Sequence, residues 1–208
     1  MSRRRSILAV GIALAAVACG GFAVRAWLRR PVVRCDGREA CAVACDHGDD
    51  EGCTGLALAY WDARGGKRDL AAAEATLLRA CNEKTAAGCD MLANLYREAK
   101  GFEAKAPQAP ALRVRAIAHY DARCRAGDGR ACVSVGRLVT NESWPDRDAA
   151  RAEEAYRIAL PLLQRGCDGR DARACVTLSG VYGYALGVPR DVARSYDVLR
   201  RACELGDR

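Results

Sequence analysis

Eight of the twelve cysteines in this 208-residue chain fall into four pairs whose members stand eight positions apart. The pairs are Cys45 and Cys53, Cys81 and Cys89, Cys124 and Cys132, and Cys167 and Cys175. Counted between second cysteines, the repeats span 36, 43 and 43 residues. A period in this range is the signature of stacked helical hairpins. The expectation is therefore an all-α chain, a right-handed α/α solenoid of about four disulfide-linked hairpins.

The residues after each second cysteine fix the register. They read Cys53-x-x-Leu56-Ala57-x-x-Tyr60, Cys89-x-x-Leu92-Ala93-x-x-Tyr96, Cys132-x-x-Val135-Gly136-x-x-Val139 and Cys175-x-x-Leu178-Ser179-x-x-Tyr182. Offsets 0, 3, 4 and 7 share one helical face. The small residue at offset 4 admits a neighbouring helix backbone. Tyr60, Tyr96 and Tyr182 recur in one register, which points to core packing. Breakers follow at Gly65-Gly66 and at Gly187-Val188-Pro189-Arg190-Asp191. A glycine there ends the first helix in the left-handed conformation, and Asp191 caps the next. Second helices follow over Ala71–Cys81 and Val192–Cys203. The two middle repeats are seven residues longer. Prolines in Lys100–Pro110 and Thr140–Asp148 place that extra length in surface loops, although seven residues would also make two helical turns.

Each cysteine pair brackets a turn rich in Gly and Asp between two antiparallel helices. Such a turn brings the flanking Cα atoms within the roughly 4.4–6.8 Å that a disulfide needs. Metal binding is the competing chemistry. Zinc ligands stand two to four residues apart, no Cys-x-x-Cys occurs, and His47 and His119 are isolated, so the spacing favours disulfides. Closing an eight-residue loop stabilises by about 2.5 kcal/mol per bridge on chain-entropy grounds. Cys35 and Cys41 are candidates for a fifth bridge in an N-terminal cap. Cys203 would find its repeat partner at position 211, so it is expected as a free thiol.

Disulfides at this density require an oxidising compartment. The N-terminus agrees independently. Arg3 to Arg5 precede the apolar run Ile7–Val24, and Ala16-Val17-Ala18 precedes Cys19. That pattern resembles a secretory signal over 1–18 with a lipobox-like Cys19 as lipidation candidate, although Ala16 stands where a lipobox usually has Leu. An uncleaved anchor reaching Leu28 and simple cleavage remain the alternatives. Residues 19–34 read as a basic membrane-proximal linker, and 35–208 as the repeat domain, with repeats at about 53–88, 89–131, 132–174 and 175–208. The expected location is the periplasm or cell envelope, membrane-attached, or else a secreted form.

Net charge points to no nucleic-acid partner. The formal +7 is carried by seven arginines before Cys35, which leaves 26 basic against 26 acidic residues in the repeat region. A nucleic-acid binder concentrates positive charge on its folded face.

The segment Cys175-x-x-Leu178-Ser179-x-x-Tyr182, with Gly187-Val188-Pro189-Arg190-Asp191 and Ala202-Cys203-Glu204-Leu205-Gly206-Asp207, resembles the Sel-1-like repeat family, a relative of the tetratricopeptide repeats. The eight-residue cysteine spacing is similar to its Helicobacter cysteine-rich protein type. Repeat three departs at Val139, where the pattern has Tyr. The resemblance implies a protein-interaction scaffold, with the first helices lining a concave face that binds a peptide or protein. Offsets 5 and 9 then nominate Asp62, Asn94, Glu98, Arg137, Asn141 and Tyr184. It implies, as the alternative, penicillin binding with weak β-lactamase activity and a β-lactam ligand.

No catalytic residue can be assigned to that alternative. No Ser-x-x-Lys, Gly-x-Ser-x-Gly, Walker loop or Gly-x-Gly-x-x-Gly occurs. No cofactor or metal is expected. His119 reads as a surface or packing residue. Trp144-Pro145 reads either as an exposed contact or as packing on the adjacent hairpin.

Overall fold

The computed structural model describes residues 35–205, apart from 36, 48, 83–84 and 99–100. Cys19, the signal and the basic linker lie outside these residues. The described residues contain nine α-helices, one 3-10 helix and no strand. They divide into two compact units between Ala126 and Gly127. The N-terminal unit holds α1 (Gly37–Asp46), α2 (Asp50–Trp61), α3 (Leu70–Asn82), α4 (Ala86–Glu98), the 3-10 segment Glu103–Gln108 and α5 (Ala109–Arg125). The C-terminal unit holds α6 (Gly129–Val139), α7 (Ala149–Asp168), α8 (Ala172–Gly183) and α9 (Val192–Glu204).

Aspartates start most of these helices for one physical reason. The first amides of a helix lack carbonyl partners, and a side-chain oxygen at the cap supplies one. Asp49, Asp128 and Asp171 each stand four before a second cysteine and accept from the amides of Glu51, Arg130 and Arg173. Asp69, Asp148 and Asp191 do the same for the second helices, accepting from Ala72, Arg151 and Arg194. The first helices of repeats one and four end alike. The amide of Arg64 donates to the carbonyl of Ala59, and that of Leu186 to Val181. These bonds close the last turn in the Schellman manner. The left-handed residues in those turns are Ala63 (φ 60°) and Ala185 (φ 58°). Gly65 and Gly187, expected to end the helices, follow two residues later.

The seven extra residues of repeat three lie in a helix, not in the loop. The amides of Asp69, Asp148 and Asp191 donate to the carbonyls of Tyr60, Val139 and Tyr182. The loop is therefore the same length in repeats one, three and four. Helix α7 has 20 residues where α3 and α9 have 13. Pro145 did not force a longer loop, because it fits a turn of ordinary length. In repeat two the extra length is shared between the 3-10 segment and α5, which has 17 residues.

Within each unit the hairpins stack the same way. In the N-terminal unit α1 packs on α2, α2 on α3, α3 on α4 and α4 on α5. In the C-terminal unit α6 packs on α7, α7 on α8 and α8 on α9. First helices also touch each other directly, α2 against α4 and α6 against α8. The small residues permit this: Ala57, Ala93, Gly136 and Ser179 are all buried. Second helices are linked instead by long side chains. Arg79 of α3 reaches Asp46 at the end of α1 (2.9 Å). Arg115 of α5 donates to the carbonyl of Cys81 at the end of α3 (3.1 Å), and Arg201 of α9 to Asp168 at the end of α7 (2.8 Å). A guanidinium beside a helix C-terminus is favoured by the dipole and by the carbonyls left open there.

Candidate binding surface

The disulfides set the spacing on which the surface is built. Cys45–Cys53, Cys81–Cys89 and Cys167–Cys175 are bridged, with Cα separations of 4.3, 4.5 and 4.6 Å. Cys35–Cys41 is bridged as well, at 4.9 Å. Cys124 and Cys132 are each disulfide-bonded. Cys203 is disulfide-bonded too, which corrects the expectation of a free thiol there. That expectation counted only partners eight residues away, and Cys203 is paired outside this register. Among the described residues no group of His, Cys, Asp or Glu is arranged to hold a metal ion.

One residue before the cysteines of the Cys45–Cys53, Cys81–Cys89 and Cys167–Cys175 bridges the helices nearly touch. A Cβ on Gly52 would stand 2.5 Å from that of Ala44, and one on Gly88 would stand 2.7 Å from that of Ala80. In the last repeat the roles reverse, with a Cβ on Gly166 standing 2.8 Å from that of Ala174. Each of these junctions thus pairs one glycine with one alanine.

The register tyrosines pack as expected, and each carries a cation over its ring. Arg38 lies 4.6 Å from the centre of Tyr60, Lys105 5.6 Å from Tyr96 and Arg194 4.4 Å from Tyr182. Repeat three lacks this tyrosine. There Tyr156 of α7 takes the space beside Gly136, where a Cβ would fall 2.4 Å from its ring. Burial raises the Tyr156 phenol's pKa, against the opposing hydrogen bond with Thr140 and the charge of Arg137.

Repeat two has a polar lock. The Tyr96 hydroxyl and the Lys105 ammonium both donate to Glu74. Phe102 stacks on Tyr96 with ring centres 5.7 Å apart. The insert from 100 to 110 is thereby fastened to α3 and α4. Burial pushes the Glu74 carboxyl up, but its bonds from Lys105 and Tyr96 and the lysine charge outweigh this and hold it below its ordinary value. Burial and the adjacent Glu74 raise the Tyr96 phenol.

The nominated surface residues occupy the solvent side of the first helices. In the N-terminal unit, Asp62 ends α2 and is exposed, with Arg64 at 3.9 Å. Asn94 is half-buried and donates to Asp90 (3.4 Å), while Glu98 is exposed beside Arg97. In the C-terminal unit, Arg137 is exposed and Asn141 is half-buried, accepting from the Ser143 amide (2.9 Å). Tyr184 caps α8 with 48% of its surface exposed. The N-terminal unit adds three residues outside the nominated six: Leu58 at offset 5, Trp61 at offset 8 and Met91 at offset 2, all half-buried on α2 and α4. Their signal is the same helical period read from offsets 2, 5 and 8. Trp144 is 5% exposed, so it packs rather than presenting a contact. His119 is half-buried on α5.

The serines serve the backbone. Ser134 donates to the Arg130 carbonyl (3.2 Å) and Ser195 to the Ser179 carbonyl (2.8 Å). The Lys105 ammonium is held by Glu74. No observation supports serine β-lactamase chemistry.

No known protein-family pattern matches the chain, and no curated protein matches it. Solved structures are similar, two of them as follows. One is a Sel1 repeat protein from Oxalobacter formigenes, 19% identical, covering 82% of this chain and 62% of that one, with a TM-score of 0.39. The other is a protective antigen present in uropathogenic Escherichia coli strains, displaying an SLR fold. It is 16% identical, covers 83% of this chain and 34% of that one, and has a TM-score of 0.36. The chain spans less than two thirds of either protein.

Proposed function

We propose that this chain is a Sel-1-like repeat scaffold that binds a protein or peptide on the solvent face of its first helices. The observation that carries the reading is the division of labour within each hairpin. Offsets 0, 3, 4 and 7 are largely spent on packing and disulfides. Asp62, Asn94, Glu98, Arg137, Asn141 and Tyr184 are left on the opposite face at a repeated register. Mixed amide, charged and aromatic groups at regular intervals suit an extended or helical protein segment. The polarity differs between the units. Helices α2 and α4 carry Asp50, Glu51, Asp90 and Glu98 against the single cation Arg97, whereas α6 and α8 carry Arg130, Arg137 and Arg173 and no carboxylate.

The bridges form in an oxidising environment. Among the described residues, no helix is long and apolar enough to cross a membrane. Residence in the periplasm or cell envelope, with attachment through a lipid on Cys19 or through the apolar N-terminus, belongs to the same proposal. Its support is the basic start, the apolar run and Cys19 in the sequence.

The test is capture from envelope extracts by oxidised protein, with bound proteins identified by mass spectrometry. Asn94→Ala and Arg137→Glu are expected to lose the captured partner at unchanged helicity. Capture that survives these and further substitutions on the first-helix face would remove the surface assignment.

A further inference from the structure

We propose that Cys45–Cys53 is the exchangeable bridge of the array, opened by a dithiol reductant that attacks Cys53 and expels Cys45 as a thiolate held by Arg79. The observation is a contact made by the sulfur itself. Arg79 Nη2 lies 3.0 Å from Cys45 Sγ while its Nη1 lies 2.9 Å from Asp46. The equivalent arginines stop at the helix end. Arg115 reaches the carbonyl of Cys81, and Arg201 reaches the carboxylate and carbonyl of Asp168.

A guanidinium in contact with a sulfur stabilises the thiolate far more than the neutral disulfide, and a stabilised thiolate both leaves faster and makes the bridge easier to reduce. Two groups oppose it. Cys45 sits in the last turn of α1, at the negative end of that helix, and Asp46 shares the same guanidinium. Both lie near the sulfur, but the guanidinium touches it. Cys53 stands in the first turn of α2, whose N-terminus favours a thiolate, but Asp50 (paired with Arg123 at 2.7 Å) and Glu51 oppose it there and no guanidinium touches its sulfur. The pair is therefore polarised, with Cys53 as the sulfur attacked.

Both cysteines are buried, so attack needs a local opening around Cys53 that leaves Arg79 on Cys45. The chemistry balances. One thiolate of the dithiol bonds to Cys53 Sγ as the S–S bond breaks and its electron pair leaves on Cys45 Sγ. The second thiol, deprotonated, attacks the mixed disulfide and releases Cys53. The dithiol ends as a cyclic disulfide, and its two protons pass through solvent to the cysteines.

Cys81–Cys89 and Cys167–Cys175 close the same eight-residue loop as Cys45–Cys53 and serve as internal controls, since loop closure contributes equally to each. The experiment equilibrates the full chain with graded ratios of reduced to oxidised dithiothreitol, traps thiols by alkylation, and reads each bridge by peptide mass spectrometry. Cys45–Cys53 is expected to open at a ratio roughly tenfold less reducing than Cys81–Cys89 and Cys167–Cys175, the scale of a charge-assisted hydrogen bond. Arg79→Gln should move it roughly tenfold toward them, with Arg79→Lys in between. Asp46→Asn removes the same ion pair but leaves the guanidinium to the sulfur, so that bridge should open as easily or more easily. A purely structural role for the ion pair gives the opposite sign for Arg79→Gln, because a loosened α1 eases reduction. The proposal fails if Arg79→Gln makes the bridge easier to reduce or leaves it unchanged, if Arg79→Gln and Asp46→Asn shift it the same way, or if the three bridges of the parent open together.

Discussion

Exchanging one methyl group between two helices tests why glycine and alanine alternate at the disulfide junctions. Gly166 precedes Cys167 in α7, and Ala174 precedes Cys175 in α8. A Cβ on residue 166 would stand 2.8 Å from Ala174 Cβ. Carbon atoms pack at about 3.5–4.0 Å, so roughly 1 Å is missing. The helices cannot splay to supply it, because the adjacent disulfide holds their Cα atoms 4.6 Å apart. Overpacking of this kind costs about 1–3 kcal/mol. Against it stands at most about 1 kcal/mol of helix propensity gained by replacing glycine, less in a terminal turn. Gly166→Ala should therefore lower stability by up to about 2 kcal/mol.

Ala174→Gly alone should lose at most about 1 kcal/mol of propensity. The double variant removes the clash, cancels the two propensity terms and should return close to the parent. It also recreates the order found at Ala44 and Gly52 and at Ala80 and Gly88. The coupling energy from the cycle is then the clash itself, about 1–3 kcal/mol. Urea unfolding of the four oxidised proteins, followed by circular dichroism, measures it. If Gly166→Ala stabilises the protein, or if the cycle closes within about 0.5 kcal/mol, close approach is not what selects glycine here.

Four other outcomes follow from the same geometry. Gly136→Ala should destabilise the C-terminal unit by about 1–3 kcal/mol, because its Cβ meets the Tyr156 ring, and adding Tyr156→Leu should recover part of the loss in thermal melts. Ala185→Gly should raise stability by about 1 kcal/mol, since a left-handed residue carries no penalty as glycine; an unchanged urea midpoint would contradict this. Asp171→Ala should lose about 0.5–2 kcal/mol through the amides of Arg173 and Ala174, as read by chemical unfolding. Glu74 has a depressed folded pKa, so its contribution is present above the ordinary glutamate value of 4.5 and disappears as pH falls through the lower folded value. Glu74→Gln should flatten that acid limb of stability against pH and lower the Tyr96 phenol's pKa in an ultraviolet titration.

The hairpins and their register were legible because they rest on local chemistry. A cysteine every repeat, a leucine or valine three residues on and a small residue after it announce themselves within little more than one turn of helix. The pairing of Cys45 with Cys53, Cys81 with Cys89 and Cys167 with Cys175 followed because a loop of fixed length leaves little choice of geometry. The surface of the first helices was nominated from the helical period together with the concave face that the family resemblance implies. The half-buried Trp61 and Met91 share that period but lie in registers that offsets 5 and 9 do not sample in their own repeats together. The bonding of Cys203 was invisible because it does not use the eight-residue spacing from which the pairing was read.

Long side chains decided the rest. Arg79, Arg115 and Arg201 read in sequence as solvated charges on second helices, yet each closes the end of the preceding second helix. Arg113 reads the same way and is 1% exposed. Lys105 and Phe102 looked like loop residues, yet they lock the insert through Glu74 and Tyr96. The loss of tyrosine at Val139 was visible, whereas its replacement by Tyr156 from another helix was not. By itself the sequence determined the helical hairpins, their register and the eight-residue disulfide spacing, all set by neighbours within eight residues. The tertiary structure alone decided which arginines clamp helix ends, which one touches a sulfur, and where repeat three put its seven extra residues. Those outcomes depend on which helices meet within each unit, and contacts of that range leave no period in the chain.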